Sequence, residues 1–245
     1  MVDCMTATWP EVAAHIARRP LAVLAFGAQE QHGPHLPLST DTLIAGELAR
    51  RLAVELDALL LPPVPYGETW NTSGYPGTVT ISFATVQALL VDIAHSVQAH
   101  GVRALLVVNG HFGNRAPLEQ AARQLLSGDP LPVLLLDHPG LAELAGAICS
   151  SSPAAPTFYH ADEVETSLVA ACRPELVHQE RAVAEYPTFP ATFGAEPIRL
   201  DTFCRSGVFG DPRPATAAKG EALYAGLVGN CLSFIEPFLA SHGLK

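Results

Sequence analysis

The sequence predicts an α/β fold built on a largely parallel sheet, and three observations support this prediction. Short apolar runs alternate with longer segments of helical periodicity, which is typical of repeated βα units. The chain has 245 residues, a length at which one α/β domain with a full core is common. Hydrophobic residues make up 49% and charged residues 16%, a balance that excludes a disordered chain. We therefore expect a single domain over residues 1–245.

The elements follow from the apolar runs and from the helical segments between them. Strands are predicted at residues 21–26, 59–65, 104–109 and 133–137. Helices are predicted at residues 42–56, 85–100, 115–126, 162–172 and 215–239. Gly101 is the expected stop of the second helix, and Asp162 can cap the fourth with Glu165 at the capping-box position. Two turn-rich stretches, residues 66–82 and 186–214, are expected to be long loops near a site or an oligomer contact.

Charge and cysteine content exclude several classes of protein. The formal net charge is −10, so no basic stripe is available to bind nucleic acid. The five cysteines are widely spaced and never form a C-x-x-C pair, which argues against a disulfide framework and a zinc ribbon. The first residues are acidic and polar rather than basic and apolar, and no apolar run reaches membrane-spanning length. We expect a cytoplasmic protein without a membrane partner, and its apolar composition favours a homo-oligomer.

Metal-capable side chains follow two of the predicted strands. The stretch "GAQEQHGPHLPLSTD" after the first strand contains Glu30, His32, His35 and Asp41, and "NGHFGN" after the third contains His111. Ligands of open parallel sheets bind beyond the carboxyl ends of the strands, so these loops can converge on one crevice. Residues two apart in an extended stretch project to the same side, so Glu30 and His32 can face one point. Asp41 precedes the next helix, where it can act as N-cap and as ligand.

The types of side chain indicate which ion they suit. Mixed carboxylate and imidazole ligands favour zinc, manganese or iron(II) over calcium or copper(I). A third stretch, "HADEVETS", adds His160, Glu163 and Glu165. The two glutamates lie on different faces of the predicted helix, so at most one points into the site and the other is expected to be solvated. His160, in the turn before the helix, is the candidate for proton transfer, although the whole stretch can also be read as an ordinary capped helix.

Five motifs together resemble the creatininase family. They are "GAQEQHGPHLPLSTD", "GYPGT", "NGHFGN", "HADEVETS" and "GVFGDPRPATAAKG", in this order, and the similarity spans about residues 21–232. The resemblance implies a three-layer α/β/α sandwich with a mostly parallel sheet. It also implies two divalent metal ions per chain at the strand ends, hydrolysis of a non-peptide or small amide C–N bond other than an ordinary peptide bond, and a hexameric assembly.

The resemblance assigns roles by motif position. Four residues would be metal ligands: Glu30, His32, Asp41 and His111. Asp41 would bridge the two ions, which would be zinc, manganese or iron. In creatininase a glutamate ligand occupies the position of Gly113, whose hydrogen cannot bind a metal, so Glu165 is the predicted replacement. His160 matches the family histidine that serves in proton transfer.

Departures from the family pattern affect the expected substrate. Thr72 occupies a position that is often histidine in relatives, and the only tryptophans are Trp9 and Trp70, whereas creatininase covers its substrate with tryptophans from the later half of the chain. The closing motif also favours a wider branch of the family over creatininase itself. We expect His35, Trp70 and Tyr75 to be substrate contacts, with a supporting role left open for His35.

The predicted activity follows from the metal chemistry. Two close divalent ions can hold a bridging water and lower its pKa from ~15.7 to roughly 7, which yields a hydroxide nucleophile. We therefore expect an amidohydrolase that acts on a small amide, lactam or formamide, with His160 protonating the leaving nitrogen. Two alternatives stay open: a lactonase or other carbonyl hydrolase with the same site, and a non-catalytic protein that binds a metal or metabolite.

Overall fold

A five-stranded parallel sheet lies between two layers of helices in the computed structural model, which describes residues 1–127 and 130–244. Its strands are β1 (Val2–Asp3), β2 (Leu21–Phe26), β3 (Leu59–Leu60), β4 (Ala104–Asn109) and β5 (Val133–Leu136). They are ordered β1-β3-β2-β4-β5, and each neighbouring pair is parallel. The predicted α/β fold with a largely parallel sheet is therefore confirmed.

Seven α-helices are found in the described part of the chain. They are α1 (Trp9–Arg18), α2 (Thr40–Glu55), α3 (Phe83–Ala99), α4 (Arg115–Gln124), α5 (Leu141–Ile148), α6 (Glu163–Cys172) and α7 (Ala217–Ser241). The layering follows from the alternation of side chains along a strand. In β2, Leu21, Val23 and Ala25 join the core beneath α2, α5, α6 and α7. The alternate residues of β2 join a second core beneath α1, α3 and α4.

Some predicted elements differ from the structure in length or were missed. The predicted strand 59–65 is reduced to β3, with one further bridge between Val64 and Phe26. The physical reason is that Pro62 and Pro63 have no N–H group to donate to a neighbouring strand. The short strand β1 and the helices α1 and α5 were not predicted from the sequence.

The last helix is the longest element of the fold. By length and composition alone α7 could cross a membrane, contrary to the expectation that no apolar run is long enough. However, α7 packs against α6, α2 and α5 and buries one face, including Leu223, Tyr224, Leu227 and Ile235. Only part of α7 is buried, so this helix packs one face on the core and leaves the remainder outside it.

Candidate metal centre

The carboxyl ends of β2 and β4 bring the two predicted ligand loops together. The strands are paired in register up to Phe26 and Asn109, and the Gly110 N–H donates a 2.8 Å hydrogen bond to the Phe26 carbonyl. A Cβ atom at Gly110 would lie 2.3 Å from the backbone oxygen of Asp41. Only glycine therefore lets the first turn of α2 pack against the end of β4, which places Asp41 between the loops.

His32 has one ring nitrogen hydrogen-bonded to the backbone and the other facing carboxylates. Its Nδ1 lies 3.1 Å from the Glu30 carbonyl oxygen, to which it donates. Its Nε2 lies 3.0 Å from Oδ1 of Asp41 and 3.5 Å from Oε2 of Glu165. When Nδ1 of an imidazole donates its hydrogen to the backbone in this way, Nε2 presents its lone pair, as in metal-binding histidines.

His111 repeats this arrangement on the other side of Asp41. Its Nε2 lies 2.7 Å from the Glu68 carbonyl oxygen, to which it donates. Its Nδ1 lies 2.8 Å from Oε2 of Glu30 and 3.1 Å from Oδ2 of Asp41. The two carboxylate oxygens of Asp41 thus face different histidines.

The five predicted metal ligands form two groups that share Asp41. One group is Glu30, Asp41 and His111, and the other is His32, Asp41 and Glu165; within each group the potential ligand atoms lie within 4.8 Å of one another. The side chains of His32 and Asp41 are almost completely buried. Each residue also leaves a buried atom without a hydrogen-bond partner, Nε2 of His32 and Oδ2 of Asp41.

The electrostatics of the two groups require positive charge. Burial alone would lower the pKa of His32, but the carboxylates of Asp41 and Glu165 outweigh it and raise this pKa to about 10. Glu30 and Asp41 likewise raise the pKa of His111 well above its usual range against the effect of burial. Bound protons or metal ions can supply the missing charge, and metal binding to such a site displaces protons. The donor set, with three carboxylates and two imidazoles, fits first-row divalent ions.

The two glutamates at the start of α6 point to different places. Glu165 lies in one of the two groups, and its role as a metal ligand stays a prediction. Glu163 was expected to be solvated, and that expectation is wrong. Its carboxylate is buried in an ion pair with Lys219 and accepts hydrogen bonds from the backbone N–H groups of Ser150 and Ser151. A buried carboxylate requires such partners because it loses its hydration.

His160 forms a further group of possible ligand atoms with Glu30 and His32, and its ring is held by Gln31. Its ring centroid is 4.5 Å from that of His32. The Gln31 amide nitrogen donates to Nε2 of His160 over 2.8 Å and to the Gly207 carbonyl oxygen over 3.1 Å, while its oxygen accepts from the Gly33 N–H. The neutral imidazole therefore carries its proton on Nδ1. Burial, reinforced by His32, lowers the pKa of His160 to about 4.

A cavity of about 310 Å³ opens over the metal-ligand groups, a volume that suits a small molecule. Predicted site residues Glu30, Asp41, His111, His160 and Glu165 line it. Its wall contains several further polar side chains that the sequence analysis did not single out, among them Glu68, Arg115 and His138. Two of them had an available signal, because Arg115 directly follows "NGHFGN" and His138 follows β5 at the same edge of the sheet.

The three predicted substrate contacts do not line this cavity. His35 is buried and its Nε2 lies 2.9 Å from the Thr166 hydroxyl. The Tyr75 hydroxyl donates to the Cys204 carbonyl oxygen over 2.5 Å, and Trp70 is exposed at the surface. A role of these residues in substrate binding stays a prediction.

Comparison with known proteins identifies similar chains over nearly the whole length. The family described as creatinine amidohydrolase, or creatininase, matches residues 5–235. The mycofactocin precursor peptide peptidase of Mycolicibacterium smegmatis is 34% identical over 226 residues, which cover 89% of this chain and 85% of the relative.

Solved structures of creatininase have the same fold. The manganese form is 26% identical and superposes with a TM-score of 0.80 over 97% of this chain and 98% of that chain. A single-substitution variant described as the Zn–Zn type is 26% identical, with a TM-score of 0.82 over 96% of this chain and 98% of that chain.

Proposed function

The chain belongs to the creatininase family of amidohydrolases, and from this premise we propose a binuclear, divalent-metal-dependent enzyme that cleaves a C–N bond of a small amide, lactam or formamide. Hydrolysis of amide bonds follows from the family. The number of ions, their bridging by Asp41 and the class of substrate are our proposals.

The observation that carries the binuclear proposal is the position of Asp41. Its two oxygens face two histidines, 3.0 Å from Nε2 of His32 and 3.1 Å from Nδ1 of His111. We propose that Glu30, Asp41 and His111 hold one ion and that His32, Asp41 and Glu165 hold the other. Manganese and Zn–Zn forms of creatininase support zinc or manganese as the metal, and the donor set is equally compatible with iron(II).

The assignment of Glu165 is supported by the surroundings of Gly113. A Cβ atom at this glycine would lie 2.1 Å from the Glu68 carbonyl oxygen and 2.7 Å from Nε2 of His111. The loop therefore has no room for a carboxylate side chain at residue 113. We propose that Glu165 is the third carboxylate, since its Oε2 lies 3.5 Å from Nε2 of His32.

Bound divalent ions would supply an activated water and polarise the substrate carbonyl. Glu30, Asp41 and Glu165 would bring three negative charges against the four positive charges of two such ions, which would leave net positive charge to stabilise the oxygen that becomes negative during attack. His160 is neutral at rest because its pKa is lowered. We propose that Nε2 of His160, once its hydrogen bond from Gln31 is broken, accepts the proton released on attack and gives it to the departing nitrogen, since a lowered pKa makes the imidazolium a strong acid.

We also propose that the protein is cytoplasmic and forms a homo-oligomer, with the hexamer as the family expectation. All five cysteines are free thiols, which suits a reducing compartment. Several large apolar side chains are strongly exposed, including Trp9, Met5 and Phe112. Light scattering of the purified protein measures the oligomer directly, and a monomer would contradict this proposal.

The proposed function is tested by metal analysis and by a substrate panel. We expect about two ions per chain after loading with manganese or zinc, and metal-dependent release of amine from one or more small amides, formamides or lactams. Lactones belong in the same panel, because their exclusive cleavage would indicate a lactonase. Metal binding without turnover of any compound would indicate a non-catalytic protein. Asp41→Asn, purified in the same way, is the control, because any activity that this variant retains comes from contaminating hydrolases.

A further inference from the structure

Arg115 is a cation in the cavity wall that the proposed hydrolysis does not use. It is the first residue of α4, and its side chain is 52% exposed. Its guanidinium carbon lies 4.4 Å from the centroid of the Phe112 ring. Its Nε forms an ion pair with Oδ2 of Asp137. Stacking and pairing hold the guanidinium in one place, which reduces the entropy lost when a ligand binds.

Asp137 is held in place by a hydrogen bond from the end of strand β4. Its Oδ1 accepts a 2.9 Å hydrogen bond from the amide nitrogen of Asn109, the last residue of β4. The chain of contacts therefore runs from the end of the sheet through Asp137 to Arg115. Within residues 1–127 and 130–244, no hydrogen bond joins Nη1 or Nη2 of Arg115 to another residue. These donors remain available to a ligand in the cavity.

We propose that Arg115 binds a carboxylate of the substrate, which deepens the proposed function and rests on it. A guanidinium presents paired N–H donors that match the two oxygens of a carboxylate. His111 and Arg115 are four residues apart and line the same cavity of about 310 Å³. A substrate that fits this space can place its amide carbonyl at the metal-ligand groups and its carboxylate at Arg115. The substrate class is thus a small N-acyl or N-formyl amino acid.

Charge favours a carboxylate over a phosphate at this position. Asp137 already neutralises part of the charge of Arg115. The cavity also contains the Glu68 carboxylate, besides those assigned to the metal ions. A dianionic group would meet stronger repulsion from these carboxylates than a monoanionic one.

The test uses two compounds of the same shape. N-acetylglycine carries a carboxylate, and N-(2-methylpropyl)acetamide has an isopropyl group in its place. We expect the manganese-loaded protein to bind N-acetylglycine about ten- to a hundredfold more tightly by calorimetry, as for hydrogen bonds to a charged group. In Arg115→Gln this preference should fall to nearly none. Arg123→Gln is the matched control, because Arg123 lies on the same helix and pairs with Glu119 at the surface; it should keep the full preference.

The outcomes separate this inference from the proposed hydrolysis. If Arg115→Gln keeps the preference, the carboxylate is bound elsewhere, for instance by the metal ions, and the inference is wrong. Equal binding of the two compounds by the unmodified protein, or binding of neither, also overturns it. If the preference depends on Arg115 but neither this pair nor any amide of the panel is cleaved, the carboxylate site stands and the proposed hydrolysis fails.

Discussion

Glu163 and Glu165 lie two residues apart at the start of α6, and their carboxylates have opposite surroundings. The first belongs to what we call the Glu163 cluster, with Lys219, Ser150 and Ser151 as its partners. Burial alone would raise the pKa of Glu163, but Lys219 and the two serines outweigh it and lower this pKa to about 2. The carboxylate is therefore charged and fully satisfied by the protein itself.

Glu165 belongs to the metal-ligand cluster, which consists of Glu30, His32, Asp41, His111 and Glu165. It accepts one backbone hydrogen bond, over 2.6 Å from the Ala161 N–H. Burial, reinforced by the nearby Asp41 carboxylate, raises the pKa of Glu165 even though His32 opposes this shift. The charged form thus lacks sufficient compensation within the described residues. A buried carboxylate with its own cation is compensated within the fold, whereas one that shares its surroundings with other carboxylates needs an added cation.

Asp41→Asn should give the largest effect, because this residue connects both groups of the metal-ligand cluster. An amide has one oxygen and no charge, so it cannot hold two cations. We expect both ions to be lost and kcat/KM to fall on the order of 10³- to 10⁴-fold. Metal analysis by mass spectrometry and amide hydrolysis measure the two effects. Retention of two ions per chain would contradict the bridging role of Asp41.

Glu165→Gln tests directly whether the Glu165 carboxylate, unlike that of Glu163, needs an added cation. We expect the variant to lose about one ion per chain, because one of the two ligand groups loses its second carboxylate. The metal-free variant should unfold at a temperature no lower than the metal-free parent, since burial disfavours the charged form of Glu165 and glutamine is neutral and similar in shape. Glu163→Gln is the matched control and should keep both ions. Full metal occupancy in Glu165→Gln would mean that this residue orients a ligand without binding an ion.

His160→Ala separates catalysis from metal binding within the same region. The proposed role is proton transfer, so we expect both ions to remain while kcat falls by about 10²- to 10⁴-fold. Calorimetric melting of the loaded variant checks that the fold is intact. An unchanged kcat would remove His160 from the mechanism.

The sequence predicted the centre of the sheet better than its periphery. Strands 21–26 and 104–109 are fully buried apolar runs, and the structure has them at these bounds. The strand 59–65 was too long because local apolarity does not account for the missing N–H groups of Pro62 and Pro63. Helix α1 had a readable signal that was missed, since Thr8 and Glu11 form a capping box and Pro10 follows at the helix start.

The candidate site was partly predictable for a physical reason. Parallel strands end at one edge, so Glu30, Asp41 and His111 had to be neighbours once the loops were assigned. Helical periodicity placed Glu163 and Glu165 on different faces without indicating which face met the loops. The burial of Glu163 could not be foreseen, because its partner Lys219 is 56 residues away in the sequence.

Glu163→Gln should affect stability and leave the metal-ligand cluster intact. Breaking a buried ion pair while its cation remains costs roughly 3 kcal/mol or more of unfolding free energy. We expect this loss in urea unfolding of the metal-loaded protein, with metal content and kcat equal to those of the parent. A loss of metal in this variant would show that the two clusters are coupled through α6.

The pH dependence of the difference in unfolding free energy between the parent and Glu163→Gln is the smallest predicted effect. The pKa of Glu163 is about 2 in the folded state against 4.5 for an ordinary glutamate. A lowered pKa means that its stabilisation is present above pH 4.5 and is lost as the pH falls toward 2. We therefore expect the stability difference between the parent and Glu163→Gln to be full at pH 6 and to fall to about half near pH 3. Urea unfolding of the two metal-free proteins measures this stability difference. Without metal, the residues of the metal-ligand cluster titrate in the same way in both proteins, so their contribution cancels in the difference. A difference that is independent of pH would mean that Glu163 acts through its shape and hydrogen bonds, and not through its charge.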